Sequence, residues 1–372
     1  MKKILLFAGT RPEAIKMLPV YDALRKKSGV SAQLVAAGQH REMLAQAFAD
    51  FGIRPEISLD VMSGGQTLAS LSSRLFTAID DLLEQEAPDI VLVQGDTTTV
   101  QVTSLCAFYR KISLGHVEAG LRSHDMHSPF PEELNRRVAG LVASWHFAPT
   151  QLSADNLLAE GVDEQSILVS GNTVIDSLLL MRDLVNASPP ELPSDVAEVI
   201  AADHRIILVT GHRRESFGDG FQHMCEAMLE LADRFEDVRI VYPVHLNPNV
   251  QEVVNRILGS HPRIVLTAPL SYKPFVYLMS KSYFILSDSG GIQEEGPSLG
   301  KPVLVMRELT ERPEGIEAGV NLLVGTDKGK IVAVASRLLS NEAAYLAMSG
   351  RKNPYGDGHA GEYIADFLLR AF

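Results

Sequence analysis

The sequence predicts an α/β protein made of two Rossmann-like, parallel-sheet domains that face a central cleft. Three observations predict it. Short apolar runs alternate with helix-length amphipathic segments from one end of the 372-residue chain to the other, which is the pattern of successive βαβ units. The runs fall into two sets on either side of a Pro- and Ser-rich stretch, "NASPPELPSD" (186–195). Unusual polar residues cluster directly after the runs, and ligands of open parallel sheets bind outside the carboxyl ends of the strands.

Taken in order, the strand candidates of the first set are Ile4–Ala8, Gln33–Ala37, Ile90–Val93, Ile112–His116, Trp145–Ala148 and Ile167–Val169. Those of the second are Ile206–Val209, Arg239–Tyr242, Ile264–Leu266, Tyr283–Leu286, Pro302–Val305 and Asn321–Val324. Each is a short, mostly unbroken apolar run, as expected of strands covered on both faces. A helix over Thr173–Val185 can already belong to the second domain, so the boundary is placed near Gly171. This gives an N-terminal domain over 1–170 and a C-terminal domain over 171–354.

Composition narrows the function. A net charge of −12 with 22% charged and 46% hydrophobic residues describes a globular protein that phosphate-rich partners repel at long range, so neither nucleic acid nor an anionic membrane is an expected partner. Cys106 and Cys225 lie in apolar helical surroundings without metal-ligand spacing and read as core residues of a reducing compartment. The N-terminal apolar run lasts six residues before Thr10-Arg11-Pro12, too short for a signal peptide, and no run approaches membrane-spanning length. A cytoplasmic protein is expected.

The polar clusters carry the chemistry. After the first strand stands "GTRPEAIK" (9–16). Gly9 permits a tight bend, Pro12 suits a first helical turn, and Arg11 falls at the helix mouth, where a phosphate would sit. A plain turn with a surface arginine reads the same residues without a ligand. After the third strand comes "QGDTTTV" (94–100). Its threonines suit helix capping, whereas Asp96 puts a carboxylate at the strand mouth, where chemistry occurs in this architecture. The fourth strand leads into "HVEAGLRSHDMHSPFPEELNRR" (116–137). Glu118, Arg122, Glu132, Glu133, Arg136 and Arg137 lie in or beside one loop, longer than such loops usually are. His124 and His127 lack HxH or HExxH spacing, so no metal site is predicted.

In the second set, "VTGHRRESFGDGF" (209–221) places His212, Arg213 and Arg214 after a strand, where they can bind pyrophosphate. "YPVHLNPN" (242–249) brings His245 to another strand end, and "RELTERPEGIEAG" (307–319) supplies Arg312 and Glu314. In "SDSGGIQEEGPSLGKP" (287–302), Ser289, Gly290 and Gly291 open a helix whose first turn is expected to carry Glu294 and Glu295. Free N–H groups at a helix start accept an anion, and the glycines allow close approach. The plain alternative is a Gly turn with two glutamates complementing the helix dipole. As a phosphate site, the same stretch places Glu295 one turn in, able to accept from ribose hydroxyls.

Together "GTRPEAIKMLP", "GDTTT", "GHVEAGLR", "PFPEELNR", "GNTVIDSL", "GHRRESFG", "YPVHLNPNV", "SDSGGIQEEGPSLGKPVLVMRELTERPEG" and "NPYGDGHA", in this order between Phe7 and Ala360, closely resemble the bacterial non-hydrolysing UDP-N-acetylglucosamine 2-epimerases. The resemblance implies a GT-B-like fold with the active site between the domains and a C-terminal helix, about 355–372, packed back on the first. It implies a homodimer that needs no metal and no nicotinamide cofactor. The reaction implied interconverts UDP-N-acetylglucosamine and UDP-N-acetylmannosamine for cell-surface polysaccharide such as capsule. UDP leaves C1 as the C2 proton is removed, giving 2-acetamidoglucal, and then adds back with the proton on the other face.

No carbonyl adjoins the C2–H, so stabilising the departing diphosphate and the charge building at C1 must supply most of the help. By matching motif, Asp96, Glu118 and Glu132 form the acid/base group and His212 serves the leaving phosphate. Arg11 and Ser289–Gly291 fit the diphosphate, Glu295 the ribose, and Arg312 the diphosphate or cleft closure, with Lys16 and Arg136 as supporting charges. Some members bind a second UDP-N-acetylglucosamine as an allosteric activator, and Gln39, His40, Gln66, Arg213 and His245 occupy the matching motifs. Departures are Gly65 where several relatives carry Arg, Gln94 where His often precedes "GDTTT", Val100 after the threonines, and His127 in place of a usual Tyr. A GT-B-type glycosyltransferase, a hydrolysing epimerase using the same UDP-sugar, and a silent sugar-nucleotide sensor are the alternatives.

Overall fold

The computed structural model describes residues 1–38, 41–61, 65–211, 213 and 218–371, with 41–43 described by their backbone alone. Gln39, His40, His212 and Arg214 therefore lie outside the described residues. The chain divides into two compact units, one formed by Met1–Ser177 with Tyr355–Phe372 and the other by Leu178–Pro354.

The first unit holds strands β1 (Lys2–Ala8), β2 (Val30–Ala36), β3 (Ile57–Ser58), β4 (Ile90–Gln94), β5 (Ser113–Val117), β6 (Trp145–Ala148) and β7 (Ile167–Val169). They form a parallel sheet of order β3-β2-β1-β4-β5-β6-β7. The second unit holds β8 (Arg205–Thr210), β9 (Val238–Pro243), β10 (Ile264–Thr267), β11 (Phe284–Ser287), β12 (Val303–Val305) and β13 (Asn321–Leu323), parallel in the order β10-β9-β8-β11-β12-β13. Ile4, Leu5, Leu6, Ile207, Leu208 and Val209 are fully buried, which is why the central strands read as unbroken apolar runs. Each sheet reverses direction once, between β1 and β4 and between β8 and β11. Those reversals are the switch points at which such sheets bind ligands.

One strand and several strand ends differ from expectation. β3 had no forecast: two residues paired with Val35 and Ala36 are too few to show a period. β4, β5, β8, β9, β10 and β11 each end one residue beyond the expected run; Val117, for one, pairs with Gln94 and Phe147, and Ser287 with Thr210 and Val305.

The division between units falls inside the helix Thr173–Ala187, a turn or two past Gly171. Asp176 Oδ1 accepts from Gly361 N at 2.8 Å and Ser177 Oγ donates to Ile15 O at 2.6 Å, binding the start of that helix into the first unit. The final helix, Ala360–Ala371, packs on the helix Arg11–Arg25. Phe367 meets Phe147 edge-on at 5.7 Å, and Lys27 pairs with Asp366 at 2.5 Å. Cys106 and Cys225 are free and buried. Among the described residues, no helix is long and apolar enough to cross a membrane.

Candidate functional site

At the first switch point, the helix Arg11–Arg25 starts with a capping box. Thr10 Oγ1 accepts from Glu13 N, and Glu13 Oε2 accepts from Gly9 N at 2.5 Å and Thr10 N at 3.0 Å. Pro12 occupies the first turn and Arg11 stands half-buried at its mouth. A Cβ on Gly9 would come within 2.3 Å of Thr99 Oγ1. Only glycine lets the turn after β1 pass so close to the helix Thr98–Tyr109.

Beyond β4, Thr97 caps the helix Thr98–Tyr109 by accepting from Val100 N, as the threonine run predicts. Asp96 projects a carboxylate whose Oδ2 accepts from Arg136 Nη2, while its backbone carbonyl accepts from Asn135 Nδ2 at 2.8 Å. Burial raises the pKa of Asp96 above the ordinary aspartate value. Arg136 pulls it back down, and the nearby Glu118 pushes it up.

Glu118 follows β5 with φ +65°, a left-handed conformation that a side-chain-bearing residue seldom adopts. Its Oε1 accepts from Lys16 Nζ at 2.6 Å and from Asn172 Nδ2 at 3.0 Å, and its Oε2 accepts from Gln94 Nε2. Asp96, Glu118, Lys16 and Arg136 are thus gathered at adjacent strand ends. Gln94 and Asn172 had not been expected as site residues. The signals lay in the position before "GDTTT" and in "GNTVIDSL".

Glu132 begins the helix Glu132–Val142 half-buried, and its side chain takes no hydrogen bond or ion pair among the described residues. Its neighbour Glu133 is fully buried and anchors the long loop, accepting from Ser123 N and Arg137 Nε, each at 3.0 Å, and from Arg136 Nη1 at 3.3 Å. Burial alone would raise its pKa, but the Ser123 amide and the two arginines outweigh burial and hold it below the usual carboxylate range. Arg122 is spent on a two-pronged pair with Glu160 at 2.8 and 2.7 Å. His124 and His127 are exposed. Buried His116 and His146 have pKa values pushed down to about 4, chiefly by burial, so both are neutral core groups. Among the described residues no His, Cys, Asp or Glu cluster is arranged to hold a metal ion.

At the second switch point, Asp288 Oδ2 accepts from Arg213 N at 2.8 Å, and Ser287 Oγ lies 2.6 Å from Thr210 Oγ1 while accepting from Ser289 N at 3.0 Å. These bonds tie the turn after β8 to the turn after β11. Ser289 precedes the helix Gly290–Ser298 without giving its side chain to a cap. The expectation of two first-turn glutamates is corrected here. Glu294 and Glu295 lie in the second turn, both buried, and the first turn carries no acidic side chain. The acidic side chains of this helix thus stand one turn in, with Glu295 Oε2 4.0 Å from where a Cβ on Gly291 would lie. A Cβ on Gly290 would meet no atom of the described residues within 4 Å.

Arg312 donates through Nε to Glu294, and Thr310 Oγ1 donates to Gln293 Oε1 at 2.6 Å, so the loop after β12 is tied to the same helix. Arg213 lies 3.7 Å from Glu311, which Arg307 grips at 2.5 and 3.0 Å. His245 is exposed after β9, where its Nδ1 accepts from Asn247 N at 3.1 Å. Gln66 is half-buried just ahead of the helix Leu68–Glu86, and Gly65 before it has φ +70°.

The UDP-N-acetylglucosamine 2-epimerase family profile matches residues 22–369. The chain is 52% identical to the UDP-N-acetylglucosamine 2-epimerase of Escherichia coli K12 over 369 residues, 98% of each protein. It superimposes on the Neisseria meningitidis UDP-GlcNAc 2-epimerase bound to UDP-GlcNAc with a TM-score of 0.87 at 43% identity, covering all of both chains. With the Methanocaldococcus jannaschii UDP-GlcNAc 2-epimerase in complex with UDP-GlcNAc and UDP, the TM-score is 0.77 at 32% identity, again over the whole of both chains.

Proposed function

This chain belongs to the UDP-N-acetylglucosamine 2-epimerase family and catalyses the reversible epimerisation of UDP-N-acetylglucosamine at C2; from that premise we propose how its residues divide the work. Asp96, Glu118 and Glu132 take and return the C2 proton. As C2–H breaks, its electron pair forms the C1=C2 bond of 2-acetamidoglucal, and the C1–O bond breaks with its pair on UDP. Re-addition of UDP, with the proton delivered to the opposite face, gives UDP-N-acetylmannosamine. No metal or nicotinamide enters the scheme.

Asp96, its pKa raised by burial, is suited to hold a proton closer to neutrality than an exposed aspartate. Lys16 and Asn172 fix the aim of Glu118. The departing diphosphate goes to Arg11, His212 and the helix start at Ser289–Gly291, and Glu295 accepts from the ribose. Arg312 reaches the diphosphate by exchanging its present partner Glu294. Gln39, His40, Gln66, Arg213 and His245 receive a second, activating UDP-N-acetylglucosamine. The enzyme works as a cytoplasmic homodimer that supplies N-acetylmannosamine for surface polysaccharide.

One observation carries this reading: two carboxylates at adjacent strand ends beside the switch point, each fixed by its own cation. Asp96→Asn and Glu118→Gln test it. Each is expected to lower kcat by about 1,000-fold or more while UDP affinity, measured by calorimetry, stays within about threefold. Unchanged rates in both would overturn the assignment. Mass spectra are expected to show UDP still attached to the product sugar; free N-acetylmannosamine would mark a hydrolysing enzyme.

A further inference from the structure

Glu13 has no part in the scheme above, yet it is only 3% exposed at the first switch point. Its Oε2 gathers the amides of Gly9 and Thr10, while its Oε1, equally buried, makes no hydrogen bond among the described residues. An ionised carboxylate with one oxygen unsatisfied in such a place is costly, whereas the neutral acid is tolerated. From the β4 side, the Thr97 side chain and the Asp96 charge act on the same carboxyl. Behind Asp96 stand Arg136, Glu118 and Lys16. The contact of Gly9 with Thr99 closes the remaining gap between the turn after β1 and the helix Thr98–Tyr109. This one buried carboxyl therefore bonds the turn that carries Arg11 and feels the charge of Asp96, while Gly9 of that turn packs on Thr99, three residues past Asp96.

We propose that Glu13 is a positioning residue: its carboxyl pins the Gly9–Thr10 amides against the Asp96–Thr97 turn and so holds Arg11 and Asp96 in register for the reaction. The inference rests on the assignment of Asp96 to the sugar. It also has a pH signature. Burial, the main cause, pushes the pKa of Glu13 up from 4.5 to about 7. When Glu13 ionises, a second negative charge appears beside Asp96 and makes Asp96 hold its proton more tightly. Turnover then carries an inflection near pH 7 that belongs to the pair.

The test is steady-state kinetics of Glu13→Ala, Glu13→Gln and Asp96→Asn with UDP-N-acetylglucosamine across the neutral pH range. Glu13→Ala loses the pin, and kcat is expected to fall about 100-fold with KM within about threefold. In Glu13→Gln the side-chain oxygen still accepts from both amides, so kcat is expected within about fivefold of wild type, without the inflection. Wild-type kcat in Glu13→Ala, or a retained inflection in Glu13→Gln, overturns the proposal. If the alanine variant does not fold, the glutamine profile decides alone. An inactive Asp96→Asn beside an active Glu13→Ala rejects Glu13 only, whereas an active Asp96→Asn rejects the role of Asp96 on which the inference stands.

Discussion

Lys16, Gln94 and Asn172 donate to the carboxylate of Glu118, a residue whose backbone conformation side chains disfavour, so its aim depends on its neighbours. Replacing Gln94 with Leu removes one donor from a buried carboxylate. That change is expected to cost about 1–3 kcal/mol in urea unfolding and to lower kcat about tenfold, with KM little changed. At this scale the sequence was legible where a polar residue follows an apolar run: Asp96 and Glu118 could be placed at strand ends without coordinates. It was not legible where two like residues adjoin. Glu132 and Glu133 look alike in "EELNRR", and only the phase of the helix shows that Glu133 turns inward to Ser123 and Arg137. Glu13 was not singled out in the sequence: the Thr-x-x-Glu spacing of a capping box is there, but it says nothing of the burial or of Asp96 beyond it.

Among elements, the helix Gly290–Ser298 has the clearest task. It opens with Gly290 and Gly291, its first turn carries no acidic side chain, and its glutamates are buried one turn later, Glu295 Oε2 lying 4.0 Å from where a Cβ on Gly291 would stand. A Cβ at Gly290 would meet no atom of the described residues within 4 Å, so Gly290→Val is expected to weaken UDP binding at least about tenfold through blocked backbone approach, while helix stability does not fall, since Val is a better helix former than Gly. Calorimetry with UDP and a thermal melt read the two effects separately; unaltered UDP affinity would mean that no diphosphate lies against this turn. The glycines and their place after a strand were visible in "SDSGGIQEE". The turn that holds each glutamate was not, because helix starts are uncertain by a residue or two from sequence. β3 escaped for a related reason: its two residues become a strand only through Val35 and Ala36 of a neighbouring run.

For the whole molecule, the alternation of apolar runs and amphipathic segments sufficed to predict two parallel sheets. It could not place the division inside the helix Thr173–Ala187, which depends on Asp176 and Ser177 reaching Gly361 and Ile15 far away in the chain. The same buried acids shape stability. Burial raises Glu13 from 4.5 to about 7 and Asp176 from 3.8 to about 6 in the folded state. A raised acid contributes stability that is complete below its unfolded pKa and is lost as pH climbs through its folded one. Wild type is therefore expected to lose stability to these groups as pH rises from about 4 to about 7. Glu13→Gln lacks the larger part of that loss and should gain on wild type over the same range, by at most about 3 kcal/mol in urea unfolding. Parallel curves for the two proteins would show that Glu13 does not titrate in this window.

The central claim is that acidic side chains remove and return the proton at C2 while UDP departs and rejoins. Proton NMR of UDP-N-acetylglucosamine incubated with the enzyme in deuterated water reads it directly. The account predicts UDP-N-acetylmannosamine carrying deuterium at C2, with deuterium entering the remaining UDP-N-acetylglucosamine as the reaction reverses. Product that keeps its original hydrogen at C2 would contradict it.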